Sequence, residues 1–234
     1  MKKILITGHA SGIGDHAIKQ FHNQGYEVIG LDVNINKELD KSILQIACDL
    51  TDENQVIKTF GQLPHIDYAV NCAGVAGVRK PILALTSEDI IDSFRSIFMP
   101  TFYALQQEIK LMKERESLSK IINIASSTAS VGANNMAAYS CAKAAIVNLT
   151  KVCAVENAPN ILVNSISPAT IDTPMIRKKY HGRLPDYSKM YLTGNCGTTG
   201  DVFSVISMLI QNNFITGQDI VIDGGYSSAF LLRL

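Results

Sequence analysis

Residues 7–14 of the chain read TGHASGIG and directly follow the apolar run KILI at residues 3–6. Glycines at positions 8, 12 and 14 would allow a tight turn and close approach of a pyrophosphate to the main chain. A helix beginning there would add free N–H groups and a partial positive charge. The glycine spacing alone also fits an ordinary turn. The strand-like run before it and the helix-like stretch after it favour a dinucleotide-binding loop.

A second apolar run, YEVIGLD at residues 26–32, ends in Asp32, 18 residues beyond Gly14. A carboxylate at the end of this strand can accept hydrogen bonds from the adenosine ribose hydroxyls and would repel the 2′-phosphate of NADP. The alternative is a strand-end residue that caps the next loop. Together with the glycine loop, Asp32 predicts that the cofactor is NAD.

Short apolar runs of β-forming residues recur along the chain, with amphipathic stretches between them. The seven runs are KILITG, YEVIGLD, ILQIACD, DYAVNCAG, KIINIAS, ILVNSIS and DIVIDGG. This alternation predicts parallel strands joined by helical crossovers, and the nearly continuous apolarity of the runs predicts strands covered on both faces. Helices are predicted at about 13–24, 52–61, 87–113, 137–156 and 200–211. We therefore expect an α/β fold, with residues 1–234 forming a single-domain Rossmann-type, doubly wound parallel sheet of about seven strands with helices on both faces.

The composition argues against several classes of protein. With 21 basic and 21 acidic residues the chain is neutral, so it has no electrostatic footprint for nucleic acid or an anionic membrane, and a small-molecule partner is expected. Five cysteines without a CxxC pair argue against a disulfide framework or a metal site, and favour a reducing compartment. No apolar run approaches the roughly 18 residues of a membrane span. We expect a cytoplasmic protein.

The stretch YSCAK at residues 139–143 places a phenol and an ammonium four positions apart, on one face of a predicted helix. Ser126 lies 13 positions upstream of Tyr139, within INIASST. A tyrosine beside a fixed cation is a candidate acid, because the cation favours the phenolate. Such pairs are also common on exposed helices, and Ser126 also fits a strand-end hydroxyl. A nucleotide loop in the same chain favours the catalytic interpretation.

In their order and spacing these motifs resemble the short-chain dehydrogenase/reductase family across essentially the whole chain. The motifs that carry the resemblance are TGHASGIG at 7–14, CDLTD at 48–52, NCAG at 71–74, Ser126 with YSCAK, NSISPATIDTP at 164–174 and ITGQDIVIDGG at 215–225. The resemblance implies an NAD-dependent oxidoreductase that transfers a hydride between nicotinamide and a secondary alcohol or ketone. It also implies a homotetramer or homodimer, with contacts through 87–113, 137–156 and the apolar tail AFLLRL.

The resemblance also implies a role for each site residue. Ser126 would hold and polarise the substrate oxygen, Tyr139 would exchange a proton with it, and Lys143 would lower the pKa of Tyr139 and bind the nicotinamide ribose. The implied cofactor contacts are Gly8, Ser11, Gly12, Ile13 and Gly14 in the loop, Asp32 at the ribose, Asp49 and Leu50 at the adenine, Asn71, Ala73 and Gly74 behind the ribose, Ile171 and Thr173 at the carboxamide, and Tyr139 and Lys143 themselves.

One departure from the family pattern lies in the fourth helix, where the usual asparagine is replaced by Ile97. Pro100 lies in the same predicted helix and cannot donate a hydrogen bond to the carbonyl of Ser96. We hypothesise that the freed Ser96 or Ile97 carbonyl holds a relay water near Lys143. The alternative is a simple kink that shapes packing.

The missing asparagine leaves a second class of function open. A nucleotide-sensing binding protein could keep this fold with little turnover, and a purely structural subunit is a third possibility. Retention of Ser126, Tyr139 and Lys143 favours the enzyme, because a sensor needs no substrate chemistry at Ser126. The intact glycine loop argues against a structural subunit.

Residues 174–199 lack clear periodicity, and such long irregular segments in compact domains often serve as lids. We predict a substrate lid here, with a plain surface loop as the alternative. The segment carries six basic residues: Arg177, Lys178, Lys179, His181, Arg183 and Lys189. They hint at an anionic substrate, but a solvated lid explains them equally well. Nothing in the sequence spells out the substrate.

Overall fold

Seven parallel strands form one sheet in the computed structural model, which describes residues 1–113 and 117–228. The strands are β1 (Lys3–Thr7), β2 (Glu27–Asp32), β3 (Leu44–Ala47), β4 (Tyr68–Asn71), β5 (Ser119–Ile124), β6 (Ile161–Pro168) and β7 (Asp219–Ile222). Their order across the sheet is β3-β2-β1-β4-β5-β6-β7. All seven predicted runs contain a strand, and the predicted Rossmann-type architecture is confirmed.

Seven α-helices connect the strands of the described chain. They are α1 (Gly12–Asn23), α2 (Glu53–Phe60), α3 (Ser87–Ser93), α4 (Met99–Lys113), α5 (Ala137–Asn157), α6 (Pro174–Lys179) and α7 (Thr199–Gln211). The five predicted helical regions are present. The sequence did not predict α6 or the short 3-10 turns at Ile82–Ala84 and Ser127–Ala129, because one or two helical turns are too short to show a periodicity.

Both faces of the sheet are covered, as the apolar runs predict. Alternate residues of β1 point to opposite faces: Leu5 packs into a core that contains buried residues of α2, α4 and α5, whereas Ile4 and Ile6 pack into a second core that contains residues of α1 and α7. Every residue of β5 and β6 is buried. Burial on both faces is why these strands lack the polar alternation of a half-exposed sheet.

The predicted helix over 87–113 is interrupted by one π-helical turn, Phe94–Phe98, between α3 and α4. The Met99 N–H donates to the Phe94 carbonyl, five residues back instead of four. Pro100 follows at once and has no N–H to donate, so the regular ladder is broken at two neighbouring places. The local disturbance is a π turn beside a proline, and it faces α5.

A buried polar network lies between the central strands and α4. The Asn71 amide donates to the Glu108 carboxyl (2.9 Å) and to the Asn123 side-chain oxygen (3.0 Å), while Thr7 donates to the Asn71 oxygen (3.3 Å). The Asn123 amide in turn donates to Thr150 at 2.9 Å. Glu108 is fully buried and one of its oxygens has no partner in the described residues, so burial raises the pKa of its carboxyl to about 8.

The strand order predicts where a ligand site would lie. The chain builds β1, β2 and β3 towards one edge of the sheet, then returns to add β4 on the other side of β1. Loops after β1 and β4 therefore diverge and leave a crevice at the carboxyl ends of the strands, where open α/β sheets bind ligands.

No helix within 1–113 or 117–228 is both long and apolar enough to cross a membrane. The tail AFLLRL lies outside the described residues, as do residues 114–116.

Candidate active site

A cleft of about 350 Å³ opens at this crevice, within the usual size range of small-ligand sites. It brings together nearly all of the residues singled out from the sequence. Those that line it are Gly8, Ser11, Gly12, Ile13, Gly14, Asp32, Asp49, Leu50, Ala73, Gly74, Ser126, Tyr139, Lys143, Ile171 and Thr173. The exception is Asn71, whose side chain points into the core and holds β4 in place through the network described above.

The loop between β1 and α1 has the shape that a pyrophosphate requires. Gly8 has φ +68°, and a Cβ there would lie 2.7 Å from the Ala73 nitrogen; a Cβ on Gly14 would lie 2.2 Å from the Gly8 carbonyl oxygen. Side chains are therefore excluded at both positions. Ser11 caps α1 without a side-chain hydrogen bond, so its hydroxyl and the first N–H groups of α1 remain available to an anion.

Asp32 stands at the end of β2 and is held in place from two sides. One carboxylate oxygen accepts the Ala10 N–H at 3.2 Å, and the other accepts the Asn34 N–H at 2.9 Å. Each oxygen retains a further lone pair towards the cleft. Asp32 therefore caps the next loop and also presents a fixed negative charge where an adenosine ribose would lie.

Ser126 lies two residues after the end of β5, directly before the short 3-10 turn Ser127–Ala129. Its side chain is 7% exposed and its Oγ accepts the Thr128 N–H at 3.3 Å. The Thr128 hydroxyl lies 3.0 Å from the same oxygen. These contacts fix the hydroxyl of Ser126 at the floor of the cleft.

Lys143 is nearly buried, at 6% exposure, and lies on the same face of α5 as Tyr139. Its Nζ donates to the Ile124 carbonyl at 2.8 Å and lies 6.0 Å from the centre of the Tyr139 ring. Burial lowers the pKa of the Lys143 ammonium to about 8. No other group in the described residues accepts a hydrogen bond from this ammonium, so its other two N–H bonds can meet ribose hydroxyls, or a water, in the cleft.

The pKa of Tyr139 differs from the sequence-based expectation. Burial raises the pKa of the phenol above its ordinary value, and the lowering contributions come from the Ser126 hydroxyl and the charge of Arg79. Lys143 was expected to pull this pKa towards neutrality. In the chain alone the desolvation of Tyr139 outweighs these favourable contributions. Lowering its pKa towards neutrality therefore depends on the positive charge of oxidised nicotinamide.

The missing asparagine is replaced by an apolar contact. Ile97 is fully buried and packs with Tyr139 in a small cluster beside α5. Gly77 approaches the same two side chains so closely that a Cβ there would lie 3.1 Å from Tyr139 and 3.2 Å from Ile97. Ser96, within the π turn, and Pro100, two residues after it, line the cleft. One of the two residues proposed to supply the relay carbonyl therefore lies in the cleft wall.

Sequence reasoning did not single out Val33 after β2 or Ile124 and Ala125 at the end of β5, which also line the cleft. Met175 and Ile176 of α6 lie in the predicted lid segment and line it as well. The first turn of the predicted lid thus reaches the cleft, although α6 shows no periodic signal. Arg177, counted among the hints of an anionic ligand, is neutralised by Asp172 through two hydrogen bonds of 2.7 and 2.6 Å.

Comparisons with known proteins find relatives that match nearly the whole chain. A family model described as enoyl-(acyl carrier protein) reductase matches residues 8–227. An NAD-dependent glycerol dehydrogenase of Listeria innocua is 31% identical over 240 residues, which cover 97% of this chain and 94% of the relative. Dehydrogenase/reductase SDR family member 6 of Xenopus laevis is 30% identical over 240 residues, covering 97% of each chain.

Solved structures share the whole fold. The ligand-free aldohexose dehydrogenase of Thermoplasma acidophilum superposes with a TM-score of 0.92 at 28% identity, covering 100% of this chain and 96% of that one. ElxO with NADP bound superposes with a TM-score of 0.86 at 30% identity, covering 97% of this chain and 99% of that one. The similarity extends from the glycine loop to the last strand.

Proposed function

Because the chain belongs to the short-chain dehydrogenase/reductase family, we propose that it is an NAD-dependent enzyme that interconverts a secondary alcohol and a ketone. The observation that carries the proposal is the meeting of Ser126, Tyr139 and Lys143 at the floor of a cleft whose other end has the form of a dinucleotide site. Either half alone would fit other functions. Their union within one cleft fits an oxidoreductase acting on a CH–OH group.

Each residue of the site has a separate role in the proposed reaction. Bound nicotinamide supplies or accepts the hydride. Ser126 donates a hydrogen bond to the substrate oxygen and orients it, since its own position is fixed by Thr128. Tyr139 gives its proton to that oxygen in reduction and removes it in oxidation. Lys143, held by Ile124, binds the nicotinamide ribose. Positioned acid–base catalysis of this kind contributes about 10² to 10⁴ in rate.

We favour NAD over NADP because of Asp32. Its carboxylate is fixed by two main-chain N–H groups and cannot swing away from a 2′-phosphate without breaking them. The Listeria relative is named as NAD-dependent, while ElxO has NADP bound, so both cofactors occur among similar proteins. Catalytic efficiency with NADP equal to or above that with NAD would overturn this choice.

The direct test is a panel of secondary alcohols, sugars and hydroxy acids with NAD, read by formation of reduced cofactor. The names of similar proteins include dehydrogenases of glycerol and of an aldohexose, which makes polyols and sugars sensible first members. We expect turnover with at least one member. Tight NAD binding without turnover of any member would contradict the proposed activity.

A nucleotide-sensing protein with little turnover is the second candidate, and one observation favours it. Ile97 puts a fully buried aliphatic side chain beside Tyr139, at the position where the family pattern has an asparagine. The two candidates differ in single-turnover experiments with a responsive substrate. An enzyme converts one equivalent within seconds, whereas a sensor binds NAD and converts almost none.

We also propose that residues 174–199 act as a lid over the substrate, that the enzyme works in the cytoplasm and that it assembles as a homotetramer or homodimer. Met175 and Ile176 in the cleft wall support the lid. The thiols of Cys48, Cys72, Cys141, Cys153 and Cys196 are all free, which supports a reducing compartment.

A further inference from the structure

His9, the third residue of the glycine loop, is fully buried and does not line the cleft. Its ring packs against Gly30 of β2 instead. A Cβ on Gly30 would lie 2.5 to 2.8 Å from three ring atoms of His9, so only a glycine at this point of β2 admits the ring. The glycine loop is therefore docked on the sheet through an imidazole.

A hydrogen bond from the neighbouring strand fixes this ring. Gln45 of β3 pairs with Gly30 in the sheet register, and its side-chain oxygen lies 2.8 Å from His9 Nε2. The same oxygen accepts the Asn36 N–H at 2.9 Å, while the Gln45 amide donates to the Asn36 carbonyl at 3.1 Å. These two main-chain contacts decide which end of the amide is the oxygen. An amide oxygen only accepts, so His9 donates from Nε2.

The docked ring lies between two main-chain contacts that join the glycine loop to β2. Before it, the Gly8 N–H donates to the Leu31 carbonyl at 2.8 Å. After it, the Ala10 N–H donates to the Asp32 carboxylate at 3.2 Å. The second distance is at the long end of the range for an N–H···O bond, so a small displacement of His9 would break it.

The loop after β2 belongs to the same arrangement. The Asn36 amide donates to one oxygen of Asp15 in α1 at 2.8 Å, and Lys19 donates to the other at 2.8 Å. Through Gln45 and Asn36, His9 is therefore connected to the first turn of α1 and to the loop on the far side of Asp32. One buried ring thus holds together the segments that surround the proposed adenosine site.

We propose that His9 is a positioning residue for the adenosine half of the cofactor, which keeps the Asp32 carboxylate where it accepts the ribose of NAD and repels the 2′-phosphate of NADP. The bond to Gln45 holds the ring, and the ring holds Ala10 against Asp32. Without it, Asp32 retains only the Asn34 N–H and can turn away from a 2′-phosphate. The inference rests on the proposed NAD-dependent function and adds a residue that selects the cofactor without touching it.

The test measures dissociation constants of NAD and NADP by calorimetry, so it does not depend on turnover. His9→Gln keeps an N–H donor at the position of Nε2, whereas His9→Asn moves the donor to the position of Nδ1 and loses the bond to Gln45. We expect His9→Asn to weaken NAD binding by about 3- to 10-fold, the worth of one hydrogen bond. NADP binding should change little, so the ratio of the NADP to the NAD dissociation constant falls by about the same factor. His9→Gln should retain the wild-type ratio.

A second variant removes the partner instead of the ring. Gln45→Leu changes a partly exposed side chain of the edge strand β3, which makes the test independent of how a buried substitution folds. It should weaken NAD binding at least as much as His9→Asn, and adding His9→Asn to it should have no further effect, because both remove one shared bond. His65→Gln is the control: it changes a partly exposed histidine before β4, at the opposite end of the strands, and should bind both nucleotides as the wild type does.

Several outcomes would overturn the inference and leave the proposed function intact. His9→Asn could bind NAD as tightly as the wild type, or it could lose no more affinity than His9→Gln. Equal losses for NAD and NADP would show that His9 only supports the fold of the loop, and additive effects of Gln45→Leu and His9→Asn would show that they do not act through one bond. A shift of the ratio in His65→Gln as large as in His9→Asn would also overturn it. Wild-type protein that binds neither nucleotide would reject the proposed function itself, and the inference with it.

Discussion

Tyr139 is the residue on which the proposed chemistry depends, and its ring and its hydroxyl have separable roles. The ring packs against Ile97 and Gly77, whereas the hydroxyl faces Ser126. Tyr139→Phe keeps the packing and removes only the proton donor. We expect kcat to fall by about 10² to 10⁴ while NAD affinity is nearly unchanged, because Lys143 and the glycine loop are the residues proposed to bind the cofactor.

Steady-state rates and NAD titration by calorimetry measure the two quantities separately. Tyr68→Phe serves as the control, since Tyr68 is a tyrosine of β4 that packs near Lys2, away from the cleft. A Tyr139→Phe variant that keeps more than a tenth of the rate would show that another group is the principal acid.

Glu108 makes stability depend on pH. Burial raises its pKa from 4.5 to about 8, so the folded state binds this proton more tightly than the unfolded state does. The contribution of Glu108 to stability is therefore fully present below its unfolded pKa and is lost as pH rises through its folded pKa. Glu108→Gln keeps an acceptor for the Asn71 amide and cannot ionise. We expect the variant to lose less stability than the wild type between about pH 5 and pH 8.

Urea unfolding across this pH range measures the effect as a free energy of unfolding. Glu88→Gln, which changes an exposed glutamate of α3, should follow the wild-type pH dependence. If Glu108→Gln tracks the wild type at every pH, the buried carboxyl does not hold its proton as described.

At this scale the sequence predicted the proposed catalytic side chains and failed on the buried acid Glu108. The spacing of Ser126, Tyr139 and Lys143, together with a glycine loop, already indicates an acid–base site. Glu108 sits in the polar stretch QQE of α4, which by itself suggests an exposed face, and only the packing of α4 against β4 reveals its burial.

Among the elements, helix α4 and the turn before it differ most from the sequence-based picture. A continuous helix over 87–113 was predicted, and the extra residue of the π turn cannot be read from apolar periodicity. Pro100 was the one local signal, since it lacks the N–H that a regular helix needs. The turn places Ser96 and Pro100 in the cleft wall with Lys143. Helix α6 was not predicted because its six residues are too few to show a helical period.

Pro100→Ala tests the relay hypothesis for this element. Alanine restores an N–H that can bond the Ser96 carbonyl, so a carbonyl that now serves a water beside Lys143 would be occupied. We expect slower proton release, seen as a lower kcat and an altered pH dependence, with little change in NAD affinity. Thr101→Ala is the control, since it changes the next buried residue of α4 without altering the backbone donors. Unchanged kcat and pH profile in Pro100→Ala would leave the proline as a simple kink.

For the molecule as a whole, the seven-stranded sheet was predictable because each strand is buried on both faces and reads as an apolar run. The order of the strands follows from the crossover pattern and the resemblance rather than from any single strand. The oligomeric state stays a prediction, since the tail AFLLRL lies outside the described residues. Its remaining support is an apolar strip on α5, where Val155 is 84% and Val152 is 44% exposed.

Light scattering at micromolar concentration measures this assembly. We expect a homotetramer or homodimer whose contacts include α5, because an exposed apolar strip on a long helix favours burial against a second copy. Val155→Asp should weaken the assembly, whereas Glu156→Gln on the neighbouring position should not. A wild-type protein that is monomeric at this concentration would refute the prediction.

The central claim is that hydride passes between NAD and a secondary alcohol while Tyr139 handles the proton. Transfer of deuterium from a carbinol-deuterated alcohol to NAD, followed by mass spectrometry of the cofactor, measures that step most directly. The account predicts labelled NADH with the wild-type protein and a loss of about 10² to 10⁴ in its rate of formation with Tyr139→Phe. Saturating NAD binding with no label transfer from any alcohol or hydroxy acid of the panel would contradict it.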